Sequence, residues 1–240
     1  MIYKVRPRYN DTWSVYDLAY NLTPRGWEDV FEESKDNLKS ISDKLDNQGE
    51  FYPPKRFIFR SLEIIRPEDV KVVILGMDPY PGDYAGQPYA NGLSFSVNSD
   101  IPLSQIPGSL KNIFKELKED IPSTNITSGD LTSWSKNGIL LINASLTCKP
   151  KAGSGSHGSM WYGFIEKIID KVKKNGNVVY ILWGKEAEKF SSRIGNKGVK
   201  LTATHPSPLS AHRGFFGCKH FSAINKCMEY WGYPKINFST

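Results

Sequence analysis

Cysteine is scarce: Cys148, Cys218 and Cys227 are the only three in 240 residues, and no two form a C-x-x-C pair. An odd, dispersed set argues against a disulfide framework and a cysteine zinc site, and favours a reducing compartment, the cytoplasm. Long apolar runs are missing too. Val72 to Leu75 and Ile139 to Ile142 fall far short of the roughly 20 residues a membrane helix needs, so no membrane partner is expected. Met1 to Tyr16 mixes charge with aromatics and lacks an apolar secretory core, so the mature chain is expected to begin near Met1. There is no internal repeat, no low-complexity tract and no Pro- or Gly-rich linker, which leaves one domain over 1–240 as the expectation. Neither a G-x-S-x-G elbow nor a G-x-x-x-x-G-K-[ST] loop occurs, which removes two common α/β chemistries.

Two weak motifs are also set aside. Gly153 to Gly158 fits G-x-G-x-x-G, but the polar, Pro-containing stretch Cys148 to Ala152 precedes it where a dinucleotide fingerprint needs a strand. A flexible loop is the better reading, and no organic cofactor is expected. Cys218 and His220 could chelate, yet a lone pair does not make a metal site, and no metal is expected.

What is present begins with charge. The formal net charge is +6, with a pI near 9.0, which favours a polyanionic partner because binding releases condensed counterions. Apolar residues at helical spacing predict a helix over 25–48 and others at Leu110 to Glu119, Tyr162 to Lys173, Glu186 to Ile194 and Phe221 to Trp231, with Ser109 as a cap. Between them stand four short aliphatic runs: Lys71 to Leu75, Gly138 to Ile142, Asn177 to Leu182 and Val199 to Thr204. These read as strands buried on both faces. Alternation with helices predicts an α/β fold, a central four-stranded parallel, twisted sheet with helices on both faces.

Polar chemistry follows every run: Met77-Asp78-Pro79-Tyr80, Asn143-Ala144-Ser145, Trp183-Gly184-Lys185 and His205-Pro206-Ser207-Pro208. In open parallel sheets the ligand crevice lies beyond the carboxyl ends of the strands, so the four segments should converge. Individually, Asp78 and Asn143 fit turn or cap residues, and His205 fits a structural histidine. Together they suit one planar polar ligand: an amide to read its edge, a histidine to donate to a carbonyl oxygen, a carboxylate to face developing positive charge.

GMDPYPG at 76–82, GLSFSV at 92–97, LLINASLT at 140–147, LWGKEA at 182–187 and HPSPLSAHRGFFGCKHFS at 205–222 resemble family 1 uracil-DNA glycosylases, in order from about Trp27 to Trp231. The resemblance implies a monofunctional DNA N-glycosylase that flips uracil out of single- or double-stranded DNA and leaves an abasic site. Asp78 would orient water and oppose the sugar cation, and His205 would stabilise the departing uracil. Asn143 would read uracil, Phe95 would stack on it, and Tyr80 would exclude thymine's methyl group. Leu209 would fill the vacated stack with help from Arg213, while Ser109 and Ser207 would grip phosphates. No motif lysine is placed as a Schiff-base nucleophile, so no strand scission is implied.

Three departures from the family pattern stand out. Met77 replaces a usual Gln, a substitution that a contact through its backbone N–H toward the base would tolerate; Pro81 replaces a usual His; and Lys185 replaces a phosphate-binding Ser. The segment from Tyr80 to Phe95 is also longer than usual. Proline after the tyrosine resembles viral relatives, which hints at a viral or phage source; a eukaryotic virus would place the chain in the host nucleus or cytoplasm. Some such relatives also serve as replication partners. Two rivals follow: a non-catalytic DNA-binding or replication-tethering module of the same fold, and a glycosylase of relaxed base choice. A monomer is expected, with a DNA-mimicking inhibitor protein or a replication factor as further partners to consider.

Overall fold

In the computed structural model, which describes residues 8–153 and 155–240, six strands occur: β1 (Val72–Gly76), β2 (Asp83–Tyr84), β3 (Gln87–Pro88), β4 (Ile139–Asn143), β5 (Val179–Trp183) and β6 (Val199–Ala203). Four of them form a parallel sheet in the order β4-β1-β5-β6, while β2 and β3 pair as a short antiparallel hairpin. That hairpin lies in the segment between Tyr80 and Phe95, where no strand is predicted.

Side chains alternate across a strand, and the sheet divides its core accordingly. Val73, Leu75, Leu140, Ile142, Tyr180 and Leu182 pack with α1 (Val15–Asn21), α2 (Glu28–Glu33), α3 (Lys35–Gln48), α4 (Arg60–Ile64), α7 (Tyr162–Val172), α8 (Lys185–Glu188) and α9 (Ser191–Ile194). Val72, Ile74, Ile139, Leu141, Val179 and Ile181 pack with α5 (Gly108–Asp120), α6 (Thr132–Lys136) and α10 (His220–Tyr230). Helices therefore cover both faces, as the alternation of runs predicts. Among the described residues, no helix is long and apolar enough to cross a membrane.

Several expectations need correction. Strands β1, β4 and β5 are buried throughout, whereas β6 is partly exposed, although β4 stands at the other edge of the same sheet. The helix expected over 25–48 is two helices, broken at Ser34, whose φ of −102° and ψ of 8° leave the helical region. The stretch 186–194 is likewise two short helices. Ser109 is not a cap: Pro107 precedes the first residue of α5, and no side chain caps that end. Helix α1 is missed by periodicity, although Ser14 and Asp17 form a reciprocal capping box at its start.

Candidate active site

Beyond the sheet, the chain leaving β4 stays bonded to the chain leaving β1. Ala144 N–H donates to the Gly76 carbonyl at 2.8 Å, Ser145 N–H to Met77 at 2.9 Å, and Lys151 N–H to Pro81 at 2.7 Å. The Cys148 thiol donates to the Pro79 carbonyl at 3.3 Å. Pro79 and Pro81 carry no N–H, so each offers only a carbonyl, and both carbonyls are taken. The segment is fixed without regular structure, and proline at 81 fits because the contact made there is through its oxygen. Asp78 is held inside this segment, where Gly155 N–H donates to its Oδ2 at 2.7 Å. Burial raises the Asp78 pKa; the Gly155 bond opposes that, and the charge of Glu186 adds to it.

Asn143 ends β4 directly opposite Gly76. A Cβ at position 76 would lie 2.2 Å from Asn143 Oδ1, so glycine there is what lets the amide lie against the sheet end. The Asn143 side chain is only 7% exposed and, among the described residues, makes no protein hydrogen bond. Its amide is therefore left available to a ligand entering from the pocket beside it. Phe95 sits at φ 62°, a left-handed conformation that costs a non-glycine residue about 1–2 kcal/mol. Its ring packs against Trp183 (centroids 5.6 Å apart) and His205 (5.7 Å), and its carbonyl accepts from Tyr80 Oη at 3.1 Å. Enclosure raises the Tyr80 pKa, so its hydroxyl stays protonated and donating.

His205 follows β6. Ser207 N–H donates to His205 Nδ1 at 3.0 Å, which places the hydrogen of a neutral imidazole on Nε2. Burial lowers the His205 pKa and favours that neutral form. The loop is braced by Ser210 Oγ on the His205 carbonyl (2.7 Å) and by Asn112 of α5 on the Pro206 carbonyl (2.8 Å).

Met77, Asp78, Tyr80, Phe95, Ser109, His205 and Ser207 line one cleft of about 200 Å3. Asn143 lines an adjoining pocket of about 10 Å3, which shares Pro79, Tyr80 and Phe95 with the cleft and has room for about one water. Leu209 stands 81% exposed beside it. Arg213 is exposed in the turn after Leu209, its Nε 3.3 Å from His212 Nε2. Lys185 is exposed at the first position of α8 and lines no part of the cleft, so the structure does not gather it with the others.

Residues 63–229 match the family described as the Uracil DNA glycosylase superfamily. The chain belongs to that superfamily. It is 43% identical to the uracil-DNA glycosylase of Aliivibrio fischeri over 215 residues, 86% of this chain and 92% of that one. To the uracil-DNA glycosylase of Idiomarina loihiensis it is 46% identical over 191 residues, 78% of this chain and 85% of that one. Among solved structures, the Y322L variant of mimivirus uracil-DNA glycosylase, in complex with UGI, is similar at TM-score 0.85 and 29% identity, covering 96% of this chain and 92% of that one.

For a member of this glycosylase superfamily, two features here escape sequence reasoning. The G-x-G-x-x-G stretch, read as a flexible loop, supplies the Gly155 N–H that holds Asp78. His220, weighed as a chelator with Cys218, instead accepts from Trp183 Nε1 at 3.0 Å and so steadies the ring on which Phe95 packs. A glycine before a buried helix could have signalled the first; nothing short of the fold signals the second.

Proposed function

We propose that the chain, as a single domain and a monomer, releases uracil from single- or double-stranded DNA by metal-free hydrolysis of the N-glycosidic bond. The observation that carries this reading is the unpartnered amide of Asn143 beside a cleft that Asp78 and His205 both line. In the mechanism, the flipped base stacks on Phe95. Asn143 Oδ1 accepts from uracil N3–H while Nδ2 donates to O4, a pairing cytosine reverses. As the glycosidic bond lengthens, positive charge grows on the sugar and negative charge on uracil. The Asp78 carboxylate faces the first and orients the attacking water; the Nε2–H of neutral His205 donates to O2 and stabilises the second. No proton need move to His205 for this to work, which suits an imidazole that burial keeps neutral.

Tyr80, tethered at both ends of its ring by the chain and by the Phe95 carbonyl, is the wall against a C5 methyl. Leu209 fills the stack on duplex DNA, Ser109, Ser207, Arg213 and Lys185 contact phosphates, and the Met77 backbone faces the base. The likeness to a glycosylase solved with UGI supports a DNA-mimicking inhibitor as a partner of this cleft. Single-stranded oligonucleotides carrying uracil, thymine or cytosine, followed by alkali to break abasic sites, test the reading. Cleavage at uracil alone is expected. Binding without cleavage would favour the tethering module, and cleavage at thymine the relaxed enzyme.

A further inference from the structure

We propose that the loop following β4 is the positioning element of the catalytic carboxylate: the Gly155 N–H fixes Asp78, and the Gly158 N–H holds Gly155 in a turn that His157 anchors. The inference rests on the reading of Asp78 just given. Among the described residues Gly155 N–H is the sole protein donor to the Asp78 carboxylate, at 2.7 Å on Oδ2, which leaves Oδ1 free for water. Gly155 is held from its other side as well, because Gly158 N–H donates to its carbonyl at 2.8 Å. Its φ is +77°, which L side chains rarely adopt, while a Cβ would meet only Met77 Cε, at 3.4 Å. Glycine is thus required by backbone conformation and not by crowding.

His157 anchors the turn. It is 7% exposed, with Nδ1 2.8 Å from Thr147 Oγ1. Thr147 Oγ1 also accepts from Trp161 Nε1 at 2.8 Å, so one hydroxyl ties the His157 ring to the buried Trp161 ring. Ser156 Oγ accepts from Lys149 N–H at 2.8 Å and closes the loop. The charged and titratable groups around Asp78 are Glu186 of α8, Tyr162 of α7, the Cys148 thiol and His205 across the cleft. Of the contacts on Asp78, the Gly155 bond is the one that favours its ionised form.

The test is single-turnover uracil release from a single-stranded oligonucleotide across pH, for wild type, Gly155→Val, Gly155→Asn, Asp78→Asn and the Asp78→Asn/Gly155→Val pair. Gly155→Val should lower the rate about 10- to 150-fold, the worth of one hydrogen bond to a charged group, and move the acid limb to higher pH with little change in half-saturation. Gly155→Asn should recover most of the loss, because Asn enters positive φ more readily and keeps the N–H. In the Asp78→Asn background, Gly155→Val should add nothing. If thermal melting shows Gly155→Val unfolded, Ser156→Ala, which loosens the loop without touching Gly155, should give the same shift of the acid limb at smaller size. Losses that multiply in the double variant, or an unmoved acid limb in a folded variant, overturn the proposal. A wild-type rate in Asp78→Asn overturns the reading of Asp78 itself; a slow Asp78→Asn beside an unaffected Gly155→Val overturns the positioning loop alone.

Discussion

At the amino ends of the strands lies a cavity of about 400 Å3, lined in part by Lys71, Ser135, Asn137, Met228, Tyr233 and Ile236; at the carboxyl ends lies the cleft of about 200 Å3. The larger hollow has mostly spent its polar groups. Lys71 Nζ sits 4.4 Å from the centre of the Tyr233 ring, Asn137 donates to the Asn237 carbonyl, and Asp69 pairs with Arg66; among the described residues lining it, Ser135 Oγ alone is buried without a partner. In the smaller one Asp78 keeps a carboxylate oxygen and His205 its Nε2 hydrogen, each held by a bond through another atom, and in the pocket adjoining it Asn143, held by strand pairing opposite Gly76, keeps its whole amide. Cavity volume records where loops fail to meet. Chemistry is recorded by groups that are fixed and still unsatisfied, and the parallel sheet directs those to one end.

The comparison breaks most visibly at Asp78. Asp78→Asn should bind uracil-DNA yet lose 10²- to 10³-fold in single-turnover rate, the usual effect of removing one preorganised electrostatic group. Ser135→Ala, at the opposite end of the sheet, should leave that rate unchanged. Because burial lifts the Asp78 pKa above the ordinary carboxylate value of 3.8, activity should fall as pH drops through that elevated value. The fall should vanish in Asp78→Asn, where no carboxylate remains to protonate. A rate–pH profile of both proteins checks this, and a shared acid limb would assign it to another group.

Tyr80 sharpens the same contrast on the side of selectivity. Uracil and thymine present one hydrogen-bonding edge to Asn143 and differ only by the C5 methyl. A pocket that merely lacks a favourable methyl contact separates them by only about 1–3 kcal/mol, so strong rejection needs a wall that does not yield. The Tyr80 ring is held by its bond to Phe95 and lies between two prolines. Tyr80→Ala should therefore raise the ratio of thymine to uracil release while slowing uracil release itself. An unchanged ratio in a folded variant would reduce Tyr80 to loop packing.

How much of this was legible depends on whether a residue acts through its side chain. Asp78, Asn143 and His205 could be read because aliphatic runs mark strands and each run ends on a polar side chain. Gly155 could not, since it acts through a backbone N–H whose direction only the fold sets. Ser109 is not a cap because Pro107, which fixes its own φ, takes the N-cap position two residues earlier and α5 begins at Gly108. Lys185 stands where the family pattern has a phosphate-binding Ser, but whether it reaches a phosphate is not carried by that position, since it is exposed at the start of α8 and lines no part of the cleft. The exposure of β6 beside the full burial of β4, the other edge strand, depends on what packs over each edge, which local pattern does not carry.

Leu209 tests whether the cleft acts on the base alone or on the duplex around it. Its 81% exposure gives it no packing role in the free protein, so truncation should leave thermal stability unchanged. On duplex DNA a flipped nucleotide leaves a gap in a paired stack, and Leu209→Ala should slow release there more than on single strands. Equal losses on both substrates would make Leu209 a general contact.

The smallest effect belongs to Lys185, and it asks how far the functional end of the sheet extends past the cleft wall. A cation that neutralises one phosphate releases condensed counterions, which on single-stranded DNA changes the slope of log affinity against log salt by about 0.7. Neutral donors such as Ser109 and Ser207 position the strand but add no such release. If exposed Lys185 meets a phosphate from the start of α8, Lys185→Ala should make the slope shallower by about 0.7, equally for uracil-containing and ordinary strands, since a phosphate contact carries no base information. Arg213→Ala offers the reference, because it lies beside the wedge and should change the slope by the same amount. A slope altered by Arg213→Ala and untouched by Lys185→Ala would end the DNA-binding surface at the cleft wall and leave Lys185 a solvated charge on α8.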